Sequence, residues 1–436
     1  MAHWGIVGGG LLGMTLAHRL GQHGHRVTLL EAGEGLGGLA SAWTLGDVVW
    51  DRHYHVILLS DARLRALLGE IGLADEIRWS ETKTGFYTGD RLVSMSNALE
   101  YLRFPPLNLV EKARLAATIL YAARIRNWKP LEQKLVGDWL TRWSGRSTYR
   151  KIWLPLLRAK LGDCHERTSA AFIWATIARM YAARRAGLGR EQFGYVQGGY
   201  ARILARFTEA LDQAGVGIEY RAAARRVERL PEGGIRVDYG EERSACFDKV
   251  VLTVPAPIAL RLCSGLSAEE TDRLKAIEYV GIVCTSLLLR RPMTEYYITN
   301  ITEDWVPFTA VIEMSALVHP DQLRGQGLVY LPKYVPAGDP LFSRPDAEVE
   351  GEFVAALRRM HPELAEDDVR AVRTSRARHV FALSTLGYSD RLPPMATSIP
   401  GLHIVNSAHI VNGTLTVNET VQLAEAALPG LLEAAA

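Results

Sequence analysis

The chain has 436 residues, 48% hydrophobic and 22% charged, with a formal net charge of +2. This length is enough for two or three domain-sized units, or for one large domain with an inserted lobe. A charge this close to neutral is not typical of a surface that follows nucleic-acid phosphates, so we expect no nucleic-acid partner. The four cysteines form no CxxC pair and lack metal-ligand spacing, so we expect no metal site.

The sequence predicts a protein without a membrane-spanning helix. The first residues run directly into a strand-like segment, without the basic and apolar regions of a secretory signal. We therefore expect a cytoplasmic protein that is at most peripheral to the inner face of a membrane. The segment 107–129 is the candidate for such a contact, because apolar residues at helical spacing are interleaved there with lysines and arginines. A cap helix packed on its own lobe would give the same pattern.

The chain is predicted to begin with a strand, a helix and a second strand, over residues 4–8, 11–23 and 26–31. The motif Gly8-x-Gly10-x-x-Gly13 falls between the first strand and the helix, as a dinucleotide-binding fingerprint requires. Such glycines turn the chain tightly and let the backbone approach a pyrophosphate. The helix N-terminus, at Leu11 and Leu12, supplies free N–H groups for the phosphates.

Glu31 ends the second strand, where its carboxylate can accept hydrogen bonds from ribose hydroxyls. An acid at this place repels a 2′-phosphate, so NADP is disfavoured while NAD and FAD both stay open. A second glycine pair, Gly37-Gly38, follows in the run "EAGEGLGGLASAW". Together these residues resemble the FAD-dependent superfamily of amine oxidase, protoporphyrinogen oxidase and phytoene desaturase, in which a Gly-Gly turn carries backbone to the FAD diphosphate. The resemblance favours FAD over NAD.

The resemblance extends over almost the whole chain. It includes the segments "DRHYHVI", "YVQGGYARIL", "RRVERL" followed by "FDKVVLTVPAP", and "GLHIVN…GTLTVNETVQLAEAA". It implies that Val227 presents its backbone to the adenine, and that the final helix points its N-terminus at the O2 edge of the flavin ring. It also implies further cofactor contacts at Ala32, Leu39, Ala40, Asn406, Ser407 and Val417.

The match has two departures. Many relatives have arginines beside the Gly-Gly turn, where this chain has Leu36 and Leu39. Many also end the last strand in Gly-Asp or Gly-Glu, where Asn406-Ser407 stands here. No cysteine occupies a place expected of a covalent flavin link, so the resemblance implies non-covalent FAD.

The resemblance implies an α/β fold with a Rossmann-type FAD-binding domain assembled from discontinuous segments, an α+β substrate-binding lobe and a mainly helical cap. We assign residues 1–78, 195–265 and 396–436 to the FAD-binding domain, 79–194 to the helical cap and substrate region, and 266–395 to the substrate-binding sheet region. A hairpin turning at Gly89-Asp90 is predicted within the second of these regions.

The implied activity is that of an FAD-dependent oxidoreductase, which oxidises or desaturates a fairly hydrophobic small molecule by hydride transfer to flavin N5. The candidate catalytic residues are Tyr54, His55 and Lys333. A neutral His55 can hydrogen-bond a substrate or relay a proton, or equally pack a domain junction. Lys333, in the apolar run "LVYLPKYVP", either extends to the surface or orients water near N5.

Two alternatives stay open. "DRHYHVI" also resembles UDP-galactopyranose mutase, which implies a non-redox, flavin-dependent isomerase with a basic pocket for a sugar nucleotide. The arginines that could form this pocket are Arg146, Arg150, Arg158 and Arg184. The other alternative is a flavin-binding partner subunit without turnover. The sequence does not determine the substrate or the oligomeric state.

Overall fold

The computed structural model describes residues 1–185, 192–411 and 414–433. The strands are β1 (His3–Val7), β2 (Arg26–Leu30), β3 (Ala42–Leu45), β4 (Val48–Asp51), β5 (Ile57–Leu58), β6 (Ile77–Glu81), β7 (Lys83–Thr88), β8 (Arg91–Ser94), β9 (Gln192–Val196), β10 (Val216–Glu219), β11 (Ala224–Arg229), β12 (Ile235–Tyr239), β13 (Arg243–Phe247), β14 (Lys249–Leu252), β15 (Tyr279–Leu289), β16 (Tyr296–Ile301), β17 (Ala310–Glu313), β18 (Gly327–Pro336), β19 (Val369–Ala382) and β20 (Leu402–Ile404). The helices are α1 (Leu11–Gln22), α2 (Ala62–Glu70), α3 (Ala98–Arg103), α4 (Leu109–Ala122), α5 (Val136–Ser144), α6 (Arg146–Thr148), α7 (Leu154–Leu161), α8 (Ala170–Arg185), α9 (Gly199–Gln213), α10 (Ala256–Leu262), α11 (Ala268–Lys275), α12 (Asp346–Met360), α13 (Tyr388–Arg391) and α14 (Val417–Glu433).

A parallel sheet of order β10-β2-β1-β14-β20 organises one half of the molecule. Its strands come from the start, the middle and the end of the chain, as the predicted discontinuous domain requires. Helices α1, α9 and α14 cover one face, and the antiparallel sheet β11-β12-β13 lies on the other. Both faces are therefore buried, which explains why β14 reads as the continuous apolar run "KVVL". The expected α/β fold is confirmed.

A sheet of order β19-β15-β18-β17-β16-β7-β8 organises the other half, and its pairs are antiparallel except β16 with β7. The predicted hairpin is confirmed: β7 and β8 join through Gly89 and Asp90, whose φ angles are 57° and 53°. These two strands fall within residues 79–194, so the first part of the predicted cap region belongs to the sheet. Helices α5, α7 and α8 cover one face of this sheet, and α12 covers the other.

Asp51, the last residue of β4, joins the two halves of the molecule. The Asp51 carboxylate accepts a 2.7 Å hydrogen bond from the backbone N–H of Tyr200 at the start of α9. The Tyr330 hydroxyl, from β18, donates a 2.6 Å hydrogen bond to the Asp51 carbonyl oxygen. Gly199 has a φ of +63°, and a Cβ there would lie 2.8 Å from the Asp51 carboxylate. Glycine is therefore required for α9 to begin this close to β4.

The predicted helix of residues 107–129 is shorter than expected, since α4 ends at Ala122. Its buried side includes Lys112, whose ammonium donates a 2.7 Å hydrogen bond to a backbone carbonyl of α3. Leu109 and Val110 instead face outward, with 73% and 69% of their surface exposed. In the described part of the chain, no helix is both long enough and apolar enough to cross a membrane.

Burial of His403 in β20 predicts a pH-dependent stability. Burial lowers the pKa of His403 from 6.5 to about 4, so the unfolded chain binds a proton between these values that the folded chain does not. We expect the free energy of unfolding to fall as the pH falls through this window, by at most about 1.4 kcal/mol per pH unit for this histidine. Urea denaturation of the wild type and of His403→Gln at pH 7, 6 and 5 measures this free energy of unfolding. An equal dependence on pH in the two proteins would contradict a role for His403.

Candidate functional site

The two glycine clusters pack directly against each other. The backbone N–H of Gly37 donates a 2.8 Å hydrogen bond to the carbonyl oxygen of Gly9, and Gly37 pairs with Gly10 in a parallel bridge. Gly37 and Gly38 have φ angles of 114° and 56°, in the region that favours glycine. The second cluster therefore forms a backbone turn that lies on the first one.

The glycines of the first cluster differ in what they face. A Cβ on Gly13 would collide with the carbonyl oxygen of Gly8, because α1 begins tightly against the end of β1. Gly10 has extended backbone, and a Cβ built there meets no protein atom within 4 Å. Gly13 is thus required by the fold, whereas Gly10 faces open space at the N-terminus of α1. That space is where a diphosphate fits, since the helix N–H groups point into it.

Glu31 holds the second glycine loop in place. Its two carboxylate oxygens accept 2.7 Å hydrogen bonds from the backbone N–H groups of Gly9 and Gly33. Each oxygen keeps a lone pair that can accept from a ribose hydroxyl. Ala32 is exposed at this edge, and Leu36 is buried under the turn. The arrangement fits a nucleoside diphosphate without requiring an arginine beside the turn.

The carboxyl ends of three adjacent parallel strands meet at this edge. The Thr253 hydroxyl, after β14, lies 3.1 Å from the carbonyl oxygen of Gly8, after β1. Asn406, after β20, donates through Nδ2 to the carbonyl oxygen of Val254 at 3.1 Å. Ser407 follows in a short 3-10 turn, Ser407–His409. In parallel α/β sheets, ligands bind outside this edge, where neighbouring strands continue to opposite sides.

The two remaining predicted cofactor contacts lie on elements outside the parallel sheet. Val227 belongs to β11, an edge strand of the three-stranded sheet, and its side chain is buried. Val417 is the first residue of α14. The next residue, Asn418, accepts hydrogen bonds from the backbone N–H groups of Arg63 and Leu64, at 3.0 and 3.2 Å. These bonds hold the start of α14 against the start of α2.

His53 connects the glycine turn to the second sheet. Its Nδ1 lies 3.1 Å from the carbonyl oxygen of Leu39, and its Nε2 lies 3.0 Å from the hydroxyl of Ser375 in β19. Because a carbonyl oxygen only accepts, Nδ1 carries the proton and Nε2 accepts from Ser375. Burial lowers the pKa of His53 to about 4, so the ring is neutral near pH 7. Ala40 is buried beside this connection.

His55 is also a neutral hydrogen-bonding group. Its Nδ1 donates to the carbonyl oxygen of His53 at 2.8 Å, and its ring centroid lies 4.8 Å from that of Tyr200. Burial lowers the pKa of His55 to about 4. At neutral pH, Nε2 is therefore a hydrogen-bond acceptor and a weak base, which favours contact with a substrate over proton relay.

Tyr54 belongs to an aromatic cluster with Tyr330, Tyr334 and Phe381. The hydroxyls of Tyr54 and Tyr334 lie 2.7 Å apart, and the rings of Tyr54 and Tyr330 lie 6.2 Å apart. The ammonium of Lys160, from α7, lies 3.3 Å from the ring centroid of Tyr334 and 5.6 Å from that of Phe381. Burial raises the pKa of Tyr54 to about 12, so its hydroxyl stays protonated.

Lys333 lies on the other face of β18. Because side chains alternate along a strand, Tyr334 faces the aromatic cluster while Lys333 faces α12, together with Leu331 and Val335. Burial lowers the pKa of Lys333, and Glu352 of α12 opposes that effect. Tyr54 and His55 are neighbours in the chain, whereas the structure places Lys333 away from them, on the α12 side of β18.

Sequence reasoning missed Lys160 and Ser375. A signal for Lys160 was available: it follows Leu156 and Leu157 by four and three residues, on the buried side of α7. A lysine at an apolar helical position is unusual enough to single out. Ser375 had no such signal, because only the approach of β19 to His53 gives it a partner.

The arginines considered for a sugar-nucleotide pocket lie at the surface where the structure describes their side chains. Arg146, Arg150 and Arg158 are exposed, and the side chain of Arg184 lies outside the described residues. In the part of the chain that the structure describes, no three His, Cys, Asp or Glu side chains group to hold a metal ion.

The parallel sheet, the paired glycine turns and the acid after β2 are typical of a dinucleotide-binding protein. The profile of the family described as flavin containing amine oxidoreductase matches residues 13–427. The chain belongs to this family. The resemblance stated from the sequence is confirmed.

Individual relatives agree with this assignment. A coproporphyrinogen III oxidase from Mycobacterium tuberculosis is 28% identical over 282 residues, which cover 60% of this chain and 61% of the relative. The match thus spans less than two thirds of that relative's length.

A protein from Exiguobacterium, described as a protoporphyrinogen oxidase, has a similar structure, with a TM-score of 0.78, 18% identity and 99% coverage of both chains. A reduced UDP-galactopyranose mutase superposes with a TM-score of 0.73 and 14% identity, over 99% of this chain and 94% of the other. At these identities the two structures show a shared fold.

The contrast between Gly13 and Gly10 yields a matched pair of variants. Gly13→Ala forces a methyl group into the Gly8 carbonyl and should lower the free energy of unfolding by about 2–3 kcal/mol or more. Gly10→Ala points its methyl group into open space and should leave the flavin-free protein nearly as stable as the wild type. It should weaken flavin binding at least tenfold, because the methyl group occupies the space in front of the helix. Thermal unfolding without flavin and flavin titration separate the two effects, and unchanged flavin affinity of Gly10→Ala would contradict this placement.

Proposed function

We propose that the protein binds FAD non-covalently and uses it to oxidise or desaturate a fairly hydrophobic small molecule. The observation that carries the proposal is the docking of the two glycine turns at the carboxyl edge of the parallel sheet. Gly10 leaves room for a diphosphate there, and Glu31 has free lone pairs for a ribose. His53 ties this edge to the sheet that carries the aromatic cluster.

Bound FAD supplies a ring that accepts a hydride equivalent at N5. The chain's own residues hold the cofactor loop and the substrate in position and offer an apolar surface. His53 holds the Gly-Gly turn against β19, and His55 offers Nε2 as an acceptor for a polar hydrogen of the substrate. Tyr54 and Tyr334, joined through their hydroxyls, offer ring faces to an apolar substrate.

One observation supports the hydrophobic substrate, and another supports the oxidation. The aromatic cluster places ring surface from the 51–58 segment, β18 and β19 together, at the junction of the helical cap and the second sheet. The likeness to a coproporphyrinogen III oxidase supports an oxidation reaction. The exposed positions of Arg146, Arg150 and Arg158 weigh against a diphosphate-binding pocket in the cap, and so against the isomerase alternative.

The purified protein should be yellow and should release FAD when it is denatured in acid, because the flavin is held without a covalent bond. Under anaerobic conditions the flavin absorption should bleach with a substrate from a panel of porphyrinogens, polyenes and hydrophobic amines. A colourless protein that does not take up FAD would overturn the proposal. A flavin that is bound but reduced by no member of the panel would favour the partner-subunit alternative.

We also propose that the outward faces of α3 and α4 rest on an anionic membrane surface. Leu99, Leu102, Leu109 and Val110 are 55–73% exposed and belong to these two helices. Exposed basic residues lie among them, including Arg103. Apolar side chains beside cations are the composition that partitions into the headgroup region of anionic bilayers.

Vesicle binding tests the membrane proposal. The wild type should sediment with phosphatidylglycerol-containing vesicles more than with pure phosphatidylcholine, and added salt should weaken the binding. Leu109→Ser combined with Val110→Ser should lower partitioning about tenfold or more. Val49→Ser is the matched control, because Val49 is 54% exposed in β4, outside this surface. Equal partitioning of all three proteins would overturn the membrane proposal.

A further inference from the structure

Lys160 points into the protein from the last turn of α7. It lies on the side of the helix that carries Leu157, which is 2% exposed, whereas Arg158 faces outward. Its ammonium sits 3.3 Å from the ring centroid of Tyr334, within the aromatic cluster. The helix thus delivers one cationic group to a surface that is otherwise apolar.

This ammonium has no counterion. Within residues 1–185, 192–411 and 414–433, no carboxylate lies within salt-bridge distance of its Nζ, and no hydrogen-bond acceptor is in range. The ring faces of Tyr334 and Phe381 attract a cation, but they do not replace the hydration that burial removes. Burial alone accordingly lowers the pKa of Lys160 from 10.5 to about 7.

The side chains around this amine are only partly covered by other residues. Lys160, Tyr54 and Phe381 each keep part of their surface accessible. A ligand at this surface would meet ring faces and one unpaired amine.

We propose that Lys160 binds a carboxylate group of the substrate, which is therefore an apolar or aromatic acid. The carboxylate would be the counterion that the ammonium lacks, through a charge-assisted hydrogen bond, while the rings of Tyr54, Tyr334 and Phe381 contact the apolar body. The proposal rests on the function proposed above, because it takes the surface of the aromatic cluster as the place of the substrate.

The proposal implies that binding is coupled to protonation of the amine. The titratable groups of the aromatic cluster beside Lys160 are Tyr54 and Tyr334, and their own neighbours are Cys284 and Tyr297; burial raises the pKa of each of these four groups. None of these neighbours changes charge near neutral pH. A carboxylate stabilises the ammonium, so binding raises the pKa of Lys160 above about 7. At pH 8, binding should therefore take up as much as about one proton, depending on how far the pKa rises, and the affinity should fall as the pH rises above 7.

Calorimetric titration with benzoate, and with uncharged benzamide for comparison, tests the inference on the flavin-loaded protein. Titrations at pH 8 in Hepes and in Tris, which differ in ionisation enthalpy, measure the protons taken up. Lys160→Met should weaken benzoate binding at least tenfold and abolish proton uptake, without changing benzamide binding. Lys160→Arg should retain benzoate binding without proton uptake, because an arginine stays charged. Arg158→Met, on the exposed side of the same helix, is the matched control and should behave as the wild type.

Two results would overturn the assignment of Lys160. One is benzoate affinity in Lys160→Met equal to that of the wild type, and the other is a wild type that binds benzoate no better than benzamide. Thermal unfolding checks that each variant is folded, and we expect Lys160→Met to be at least as stable as the wild type because it removes an unpaired buried amine. If a substrate bleaches the bound flavin and either of these two results is also obtained, only the assignment of Lys160 is overturned and the proposed function stands. Failure of FAD uptake would instead overturn the proposed function.

Discussion

The hydrogen bond from the Gly37 N–H to the Gly9 carbonyl is the interaction on which the site depends. It joins the loop after β2 to the loop after β1, so both glycine clusters form one surface at the N-terminus of α1. Glu31 reinforces the pair by accepting from the backbone N–H groups of both loops. A side chain at Gly37 would meet Leu204 of α9. The close approach of these loops therefore has to be made by backbone alone.

The segment from Asp51 to His55 transmits this geometry to the rest of the molecule. Asp51 binds the start of α9 and receives the Tyr330 hydroxyl, while His53 spans from the glycine turn to β19. Tyr54, between them, enters the aromatic cluster. The segment 51–55 thus contacts the half built on the parallel sheet, the second sheet and the aromatic cluster beside the cap. The cofactor edge and the aromatic cluster cannot shift independently, because the same short segment holds both.

The half built on the parallel sheet was the more predictable part of the candidate site. Local backbone requirements can be read from the glycine spacing, from a strand that ends in an acid and from the order of the segments along the chain. Together these features predict the parallel sheet. The substrate side was less predictable. In the sequence, His55 and Lys333 look alike, since both are polar residues in apolar surroundings. Their positions differ in the fold, because the alternation of side chains in β18 directs Lys333 toward α12. Lys160 enters the cluster because α7 packs on that strand, which no local pattern specifies.

The sequence by itself determined the fold class, the flavoprotein family and the places where the backbone turns on glycine, because glycine requirements and strand and helix periods are local. Only the tertiary structure decided which side chains share the aromatic cluster, which face of α4 is exposed, and which lysine lies without a counterion. These features depend on contacts between residues far apart in the chain, such as Tyr54 with Tyr334 and His53 with Ser375. Their partners are set by the packing of whole elements, so they appear only when the chain is folded.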